Sequence, residues 1–190
     1  MKTPETSQVM SASDVERALT RIAHEIVETH RGVKDLVLLG IPRRGLPLAR
    51  RLGERLARID DAFDRDQCVG SLDITMFRDD LRSGSARTPE PTHLPGAGID
   101  EATVVLVDDV LYSGRTVRAA LDALSSVGRP SAVRLAVLVD RGHRELPIRA
   151  DHVGKNLPTS REERVSVKLA DVDGVAQANE AVYIERGPLR

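Results

Sequence analysis

Two adjacent carboxylates, Asp108 and Asp109, directly follow the uninterrupted apolar run 104–107. The segment 113–116, Ser-Gly-Arg-Thr, then begins a predicted helix. A helix N-terminus presents free N–H groups and the positive end of a dipole, and glycine permits close approach of a ligand. Adjacent acids before a capped helix often bind only solvent or a cation. The whole segment instead predicts a phosphate-binding loop, with carboxylates suited to the hydroxyls of an attached sugar.

These residues need a scaffold that brings strand ends together, and the apolar patterning predicts one. Apolar runs, typical of strands buried on both faces of a parallel sheet, occupy residues 36–41 and 103–107, and a third buried strand is predicted over 132–139. Weaker strands are predicted over 68–75, 165–169 and 181–185. Helical periodicity predicts amphipathic helices over 14–31, 46–58 and 114–127. We therefore predict an α/β fold with a parallel twisted sheet flanked by helices and with ligands at the strands' carboxyl ends.

Three stretches depart from this alternation. Residues 1–12 are polar and predict a disordered tail, which leaves 13–190 as one domain. Ser13 and Glu16 have capping-box spacing and predict where the first helix begins. Residues 78–100 are rich in Gly and Pro, which indicates either a lid or a flexible hairpin. Residues 140–163 are mixed in character and rich in Arg and His.

Composition excludes several classes of protein. A hydrophobic share of 41% with 30% charged residues excludes a disordered chain, a collagen-like fibre and a coiled coil. Aromatic residues make up only 2%, which excludes nucleic-acid binding on a platform of stacked aromatics. A net charge of -1 predicts neither a DNA-coating nor a membrane-surface protein, although it leaves room for a local basic patch.

The cysteine and histidine residues bear on the cellular compartment and on whether the protein binds a metal ion. The single cysteine, Cys68, excludes an intrachain disulfide and fits a reducing compartment. His30, His93 and His152 lack metal-ligand spacing, so no protein-held metal is expected. The polar start and the lack of a membrane-length apolar stretch predict a soluble cytoplasmic protein.

Residues 104–116 resemble the signature that binds 5-phosphoribosyl-1-pyrophosphate (PRPP) in type I phosphoribosyltransferases. The wider chain, from about 14 to 185, is similar to the PyrR family of bifunctional pyrimidine operon regulators with uracil phosphoribosyltransferase activity. The stretches that carry this second resemblance are 18–25, 73–81, 140–151 and 154–160. The resemblance implies the type I phosphoribosyltransferase fold, with a small hood and base-binding segment at about 140–163 and a flexible lid loop at about 78–100.

The resemblance also assigns roles around PRPP. It implies that Asp108 and Asp109 hold the ribose 2′ and 3′ hydroxyls. Pyrophosphate and its Mg²⁺ are expected on the loop after the first strand, where Arg43 and Arg44 can neutralise charge in bidentate fashion. An exposed pair at a helix start is the alternative for these two arginines. Pro42 is a departure from the family pattern, since relatives often carry a Lys in this loop. The 5′-phosphate is expected on Val110, Leu111, Tyr112, Ser113, Gly114, Arg115 and Thr116.

The implied reaction is displacement of pyrophosphate from the anomeric carbon of PRPP by a uracil nitrogen, which gives UMP. Positioning and charge stabilisation would supply most of the catalysis. Closure of 78–98 would exclude water and bring Arg78 and Arg82 to the pyrophosphate, unless these arginines are merely solvated. Some purine-type relatives carry a carboxylate base where this chain has Tyr112, so no loop carboxylate base is expected. The candidates for uracil binding are Arg141, Val153, Gly154 and Lys155.

RNA binding is the second activity that the resemblance implies. The family binds a stem-loop in the leader of pyrimidine biosynthetic mRNA, through a basic concave surface formed across a dimer, with UMP as co-regulator. The residues that match this pattern are Thr20, Arg21, His24, His143, Arg144, Arg149 and Lys155. Without the resemblance, such residues are typical of solvated faces. The expected partners are therefore uracil, PRPP, UMP, the mRNA leader and further copies of the chain as a homodimer or higher homo-oligomer, with Mg²⁺ arriving with PRPP.

Two other hypotheses stay open. One is a regulator whose catalysis is vestigial; the complete 108–116 segment argues against lost substrate binding but not against slow turnover. The other is a purine-type phosphoribosyltransferase without RNA binding, which Tyr112 and the 140–156 segment disfavour. Comparing uracil, hypoxanthine and guanine as acceptors separates the enzymes, and salt-dependent RNA binding separates the regulator.

Overall fold

The computed structural model describes residues 5–79 and 90–186. The helices within these ranges are α1 (Ala12–His30), α2 (Gly45–Ile59), α3 (Arg65–Cys68), α4 (Arg115–Val127) and α5 (Ala170–Asp173). The strands are β1 (Glu5–Ser11), β2 (Leu36–Gly40), β3 (Val69–Ser71), β4 (Thr103–Leu111), β5 (Ala132–Asp140), β6 (His152–Asn156), β7 (Glu163–Lys168) and β8 (Ala181–Arg186). Short 3₁₀ turns lie at Thr75–Phe77 and Gln177–Asn179. None of the helices described is long and apolar enough to span a membrane.

A five-stranded parallel sheet in the order β3-β2-β4-β5-β6 forms the main body. All five residues of β2 are buried, as are the first apolar residues of β4, because helices cover both faces. One apolar cluster joins this sheet to α1 and α2, and a second joins its other face to α4. The predicted α/β fold with a parallel sheet is therefore confirmed.

A separate three-stranded antiparallel sheet, β1-β8-β7, forms the hood. The hood is thus present but is not built from residues 140–163, where the sequence placed it. That segment instead supplies β6, the edge strand of the main sheet, because Val153 and Lys155 pair with Val137 and Val139 of β5. Its apolar content was too low to predict a strand.

The predicted disordered tail over 1–12 was wrong for residues 5–11, which form β1. This strand pairs with β8, and Met10 is only 3% exposed because it joins the core beneath the hood. Helix α1 begins earlier than predicted. Its capping box joins Ser11 and Asp14, whose backbone N–H donates to the Ser11 hydroxyl while the Asp14 carboxylate accepts the Ser11 N–H. The expected box from Ser13 to Glu16 was therefore wrong.

Near the cleft, further elements begin or end at residues other than those predicted from the sequence. The predicted strand over 68–75 is shortened to β3, after which the chain turns at Thr75–Phe77. Part of the predicted lid is fixed to the edge of the sheet, since His93 and Ser71 exchange two backbone hydrogen bonds of 2.9 Å. Strand β4 runs to Leu111, beyond its predicted end.

Ion pairs tie the hood to α2. Glu180, which precedes β8, is only 1% exposed, and both its carboxylate oxygens accept hydrogen bonds from Arg51 at 2.8 and 2.6 Å. One of these oxygens also accepts the Ala170 N–H at 2.8 Å. Arg51 contacts Asp171 as well, at 2.5 Å. The hood is therefore held over the main sheet by a buried charged contact in addition to apolar packing.

Candidate active site

A cleft of about 800 Å³ opens between the carboxyl ends of the main-sheet strands and the hood. The main body contributes the loop after β2, the end of β4 and the segment around Thr75–Phe77. The hood contributes residues of β7 and α5. Of the residues predicted from sequence, those that line this cleft are Arg43, Arg44, Arg78, Asp108, Asp109, Val110 and Thr116.

The paired acids lie inside the last residues of β4. Asp108 is 8% exposed and Asp109 is half-buried. The Asp109 N–H donates to Asp108 at 2.8 Å, and the Val110 N–H donates to Asp109 at 3.0 Å. Each carboxylate is thus oriented by the amide that follows it. Both can still accept hydrogen bonds from hydroxyl groups in the cleft, because a carboxylate has several lone pairs.

The loop after β4 has the geometry of an anion site. Gly114 caps α4 with a φ of 93°, a conformation that disfavours other residues. The Ser113 carbonyl accepts N–H groups of Glu145 and Leu146 at 3.0 and 3.1 Å, which fixes the loop to the 140–150 segment. A cavity of about 260 Å³ adjoins the loop and the first residues of α4. The N–H groups at the start of α4 can therefore receive a phosphate.

The side chain of Arg115 is occupied by two carboxylates. It donates to Glu145 at 2.7 Å and to Asp79 at 2.6 Å. These contacts raise the pKa of Arg115, with the bond to Glu145 as the largest cause. The loop can therefore bind a ligand through its backbone N–H groups, whereas the Arg115 side chain is already paired with Glu145 and Asp79.

The loop after β2 brings two arginines to the cleft. Its Pro42–Arg43 peptide bond is cis. A Cβ on Gly45 would lie 2.2 Å from the Val107 carbonyl oxygen, so only glycine lets α2 begin this close to β4. Arg43 is exposed and forms no ion pair with any described residue. It is therefore available to a ligand.

Arg44 is anchored, in contrast. Its Nε and Nη2 donate to the two oxygens of Asp173 at 3.1 and 2.6 Å, and its Nη1 lies 3.9 Å from Asp109 Oδ2. The bond to Asp173 raises the pKa of Arg44 and lowers that of Asp173. Asp173 was not predicted from the sequence, because nothing near this acid in the chain indicates that Arg44 is its partner.

A second residue missed from sequence is Arg164 on β7. It lines the cleft, is exposed, and forms no ion pair within the ranges that the structure describes. The burial of Val165 and Val167 on this strand is the signal that could have found it, because alternation places Arg164 on the opposite side. Arg82 lies outside the described residues.

The residues predicted to bind uracil fall in two places. Arg141 is 7% exposed and stacks over the Tyr112 ring at 4.2 Å, while it donates to Thr159 Oγ1 and the Ser160 carbonyl. Burial lowers the pKa of Arg141. This stack lies beside the phosphate loop, to which Tyr112 belongs.

Val153, Gly154 and Lys155 do not line the cleft. The carbonyls of Val153 and Gly154 accept Nη2 of Arg21 at 3.1 and 2.5 Å. Lys155 Nζ donates to the Val9 carbonyl at 2.9 Å. The structure therefore places these three residues against α1 and β1. Their polar groups are satisfied there by tertiary contacts, which the local sequence does not show.

The predicted RNA-binding residues also separate into two groups. Thr20, Arg21 and His24 share one side of α1, from which Arg21 donates to the Gly154 carbonyl of β6. Arg149 is exposed, and the His143 ring contacts the Thr159 carbonyl. Arg144 is half-buried: it pairs with Asp140 and donates to the Tyr112 and Ile148 carbonyls at 2.8 and 2.9 Å. Arg144 thus supports the phosphate loop.

Known proteins resemble this chain over most of its length. The phosphoribosyl transferase domain family matches residues 5–171. The bifunctional protein PyrR of Leifsonia xyli subsp. xyli is 60% identical over 184 residues, which cover 96% of this chain and 98% of the relative. The bifunctional protein PyrR of Streptomyces coelicolor is 64% identical over 170 residues, which cover 90% and 86% of the two chains.

Solved structures resemble the chain at low sequence identity. The hypoxanthine phosphoribosyltransferase of Trypanosoma cruzi in complex with IMP has a TM-score of 0.68 at 17% identity, covering 98% of this chain and 96% of that chain. A Bacillus anthracis hypoxanthine-guanine phosphoribosyltransferase has a TM-score of 0.67 at 16% identity, covering 94% and 99%. These likenesses show the fold.

Proposed function

The chain belongs to the phosphoribosyl transferase family and, within it, to the bifunctional PyrR proteins, and from this premise we propose two linked activities. The first is transfer of the phosphoribosyl group of PRPP to uracil, which gives UMP and pyrophosphate. The second is UMP-dependent binding of the leader of pyrimidine biosynthetic mRNA. The observation that carries the proposal is one cleft in which paired carboxylates, a helix N-terminus and arginines of the main body and hood face each other.

In this proposal, β4 and the loop after it hold the substrate. Asp108 and Asp109 accept hydrogen bonds from the ribose 2′ and 3′ hydroxyls. The N–H groups at Gly114 and the start of α4 bind the 5′-phosphate, for which the helix dipole is favourable. The sugar is thereby fixed at both ends, and its anomeric carbon faces the rest of the cleft.

The arginines stabilise the departing pyrophosphate. Arg43 and Arg44 lie after β2, Arg78 lies beyond the Thr75–Phe77 turn, and Arg164 projects from β7. Negative charge on the pyrophosphate grows as its bond to the anomeric carbon breaks, so donors fixed in advance favour that step. The loop contains no carboxylate base, and we propose that uracil loses its proton late, to water or to pyrophosphate.

The donors in the cleft also fit Mg²⁺. Carboxylates of Asp73, Asp108 and Asp109 share the cleft, yet no three His, Cys, Asp or Glu side chains among the described residues form a metal cluster. Magnesium prefers one or two carboxylates together with substrate phosphates to a cage made only of protein. When bound with PRPP, the ion neutralises charge on the leaving group.

Uracil is proposed to bind beside the stacked Tyr112 and Arg141. The Arg141 guanidinium has N–H donors that suit a uracil carbonyl, and its position at the end of β5 adjoins the phosphate loop. A contribution from Val153, Gly154 and Lys155 requires Arg21 to release the carbonyls that it now holds.

For RNA, we propose the α1 side that carries Thr20, Arg21 and His24, together with Arg149, His143 and Lys155. A homodimer or larger homo-oligomer would extend this surface, and binding to mRNA places the protein in the cytoplasm. Because UMP binding and RNA binding are coupled, each would raise the affinity for the other by the same factor.

The first experiment measures UMP formed from labelled uracil, PRPP and Mg²⁺. The double variant Asp108→Asn/Asp109→Asn is expected to lose about a hundredfold or more in rate, since a hydrogen bond to a charged group contributes about 1.5–3 kcal/mol. Asp122→Asn is the control, because this α4 carboxylate contacts Arg118 and not the cleft. Absence of UMP with folded wild type, or a preference for hypoxanthine or guanine, would contradict the proposal.

The second experiment measures binding of a pyrimidine-gene leader RNA across a salt series, with and without UMP. Each lost phosphate contact lowers the salt slope by about 0.7–0.9, so Arg21→Gln should bind more weakly and with a shallower slope. Arg58→Gln, an exposed arginine on α2, is the matched control. Binding that UMP does not strengthen would reject the coupling.

A further inference from the structure

Arg44 and Asp173 join the two halves of the molecule at the cleft. Arg44 immediately precedes α2 in the main body, and Asp173 ends α5 beside the hood strands. The bond is a fork, with Nε and Nη2 of Arg44 on the two oxygens of Asp173 at 3.1 and 2.6 Å. Such bidentate pairs fix the plane of a guanidinium as well as its distance.

The carboxylate is itself immobilised. Asp173 Oδ2 accepts the Leu169 N–H at 2.9 Å, and Lys168 Nζ lies 3.9 Å from Oδ1. The side chain is only 10% exposed. A carboxylate held by its own backbone in this way acts as a fixed support and not as a mobile counter-ion.

The fork leaves one end of the guanidinium facing the acids of β4. Nη1 lies 3.9 Å from Asp109 Oδ2, and both hydrogens on Nη1 remain available. A ligand anion in the cleft can therefore bind Nη1 without breaking the contact to Asp173. Arg43, the neighbouring arginine, has no such support from the residues that the structure describes.

We propose that Asp173 is a positioning residue, which presents the Nη1 end of Arg44 to the pyrophosphate of PRPP. The inference rests on the proposed function, in which Arg44 binds pyrophosphate. Holding the guanidinium in one orientation before the substrate arrives removes the entropy cost of ordering a long side chain on binding. The hood thus contributes to PRPP binding through a residue that does not touch the substrate.

The contact between Asp173 and Arg44 could instead withhold Arg44 from the ligand, and removal of Asp173 would then have the reverse effect on PRPP binding. If Asp173 sequestered Arg44, pyrophosphate would have to displace a carboxylate, and removing that carboxylate would tighten PRPP binding. The position of Nη1 on the cleft side argues for support and against competition.

The test compares Asp173→Asn with Asp171→Asn. The first keeps the shape of the side chain but loses the charge and one acceptor; the second removes a carboxylate of the same short helix that contacts Arg51 instead. Asp173→Asn should raise the KM for PRPP and the Kd of Mg²⁺–PRPP about tenfold, with a smaller change in kcat. Asp171→Asn should leave both constants unchanged. A fall in Tm without a change in either constant would reduce Asp173 to a structural role and overturn the proposal.

A double-variant cycle shows whether Asp173 acts through Arg44. In an Arg44→Ala background, Asp173→Asn should have no further effect on PRPP binding, because the group that it orients is gone. An independent tenfold loss in that background would overturn the proposal, as would tighter PRPP binding by Asp173→Asn alone.

Calorimetry with Mg²⁺–PRPP separates this failure from failure of the proposed function. A wild type that neither binds PRPP nor forms UMP would reject the function itself. A wild type that binds PRPP, with loss in Arg44→Ala but none in Asp173→Asn, would reject only the positioning role.

Discussion

Asp79 and Arg115 form a 2.6 Å ion pair beside the phosphate loop. The contact joins the chain that leaves the Thr75–Phe77 turn to the first residue of α4. Asp79 lines the same cavity as Ser113 and Gly114, so a negative charge lies where the proposed function places a phosphate. In this arrangement Asp79 and the substrate phosphate compete for the positive charge of Arg115.

We therefore expect Asp79→Asn to lower the KM for PRPP. Both side chains are about half exposed, and such pairs contribute at most about 1 kcal/mol, so the expected change is about threefold. The effect should shrink at high salt, because screening weakens exposed charges. Asp122→Asn, whose carboxylate lies near Arg118 on α4, should leave the KM unchanged. An increase in KM would show that Asp79 supports the loop.

Gly45→Ala should impair PRPP binding through the backbone. The added Cβ would meet the Val107 carbonyl oxygen at 2.2 Å, so the loop carrying Arg43 and Arg44 would have to move. We expect the KM for PRPP to rise by about tenfold or more, since a small displacement of binding groups has a large effect on rate. Ala57→Gly, farther along α2, costs about 1 kcal/mol of helix stability and serves as the control. Equal effects of both variants would contradict this prediction.

Arg51→Met should destabilise the hood. It leaves the buried Glu180 carboxylate without its main partner, which costs about 3–5 kcal/mol in comparable sites. The double variant Arg51→Met/Glu180→Gln should recover more than half of that loss, because the amide oxygen can still accept the Ala170 N–H. Denaturant unfolding measures both. A double variant as unstable as the single one would show that the ion pair itself supplies the stability.

His152 should make stability depend on pH. Burial lowers its pKa below the usual range, an effect that Asp151 and Glu25 only partly offset. The unfolded chain therefore binds a proton more readily than the folded one, and stability falls as pH drops below the unfolded value of about 6.5. His152→Phe should flatten the slope of unfolding free energy between about pH 7 and 5 by up to about 1.4 kcal/mol per unit. An unaltered slope in His152→Phe would refute the assignment.

The main sheet could be predicted from sequence because its strands are buried on both faces. Strand β2 is apolar throughout, β4 begins with the apolar run 104–107, and β5 is apolar over 135–139. The amphipathic patterns of α2 and α4 are similarly local. Strand β1 could not be predicted, since Thr6, Ser7 and Gln8 are polar. Its structure depends on hydrogen bonds to β8, far away in the chain.

The site residues that could be predicted from sequence are likewise those that lie close together in the chain. Residues 108–116 could be predicted together because the strand end, the loop and the helix start are contiguous. Asp173 reaches the cleft from the hood, and no local pattern indicates that approach. For Arg164, the alternation along β7 gives the side of the strand but not the cleft that this side faces. The placement of Gly154 was missed for the same reason, as its partner Arg21 lies in the first helix.

The pairing of β1 with β8 also has a consequence for synthesis of the protein. Ribosomes release the chain from the N-terminus, so β1 emerges first but has no neighbour in its sheet until β8 has followed it. The strands of the main sheet lie between them in the chain and can assemble in the meantime. The hood, and with it the upper wall of the cleft, therefore closes last, and a nascent chain acquires its Asp108–Asp109 edge before it can enclose a substrate.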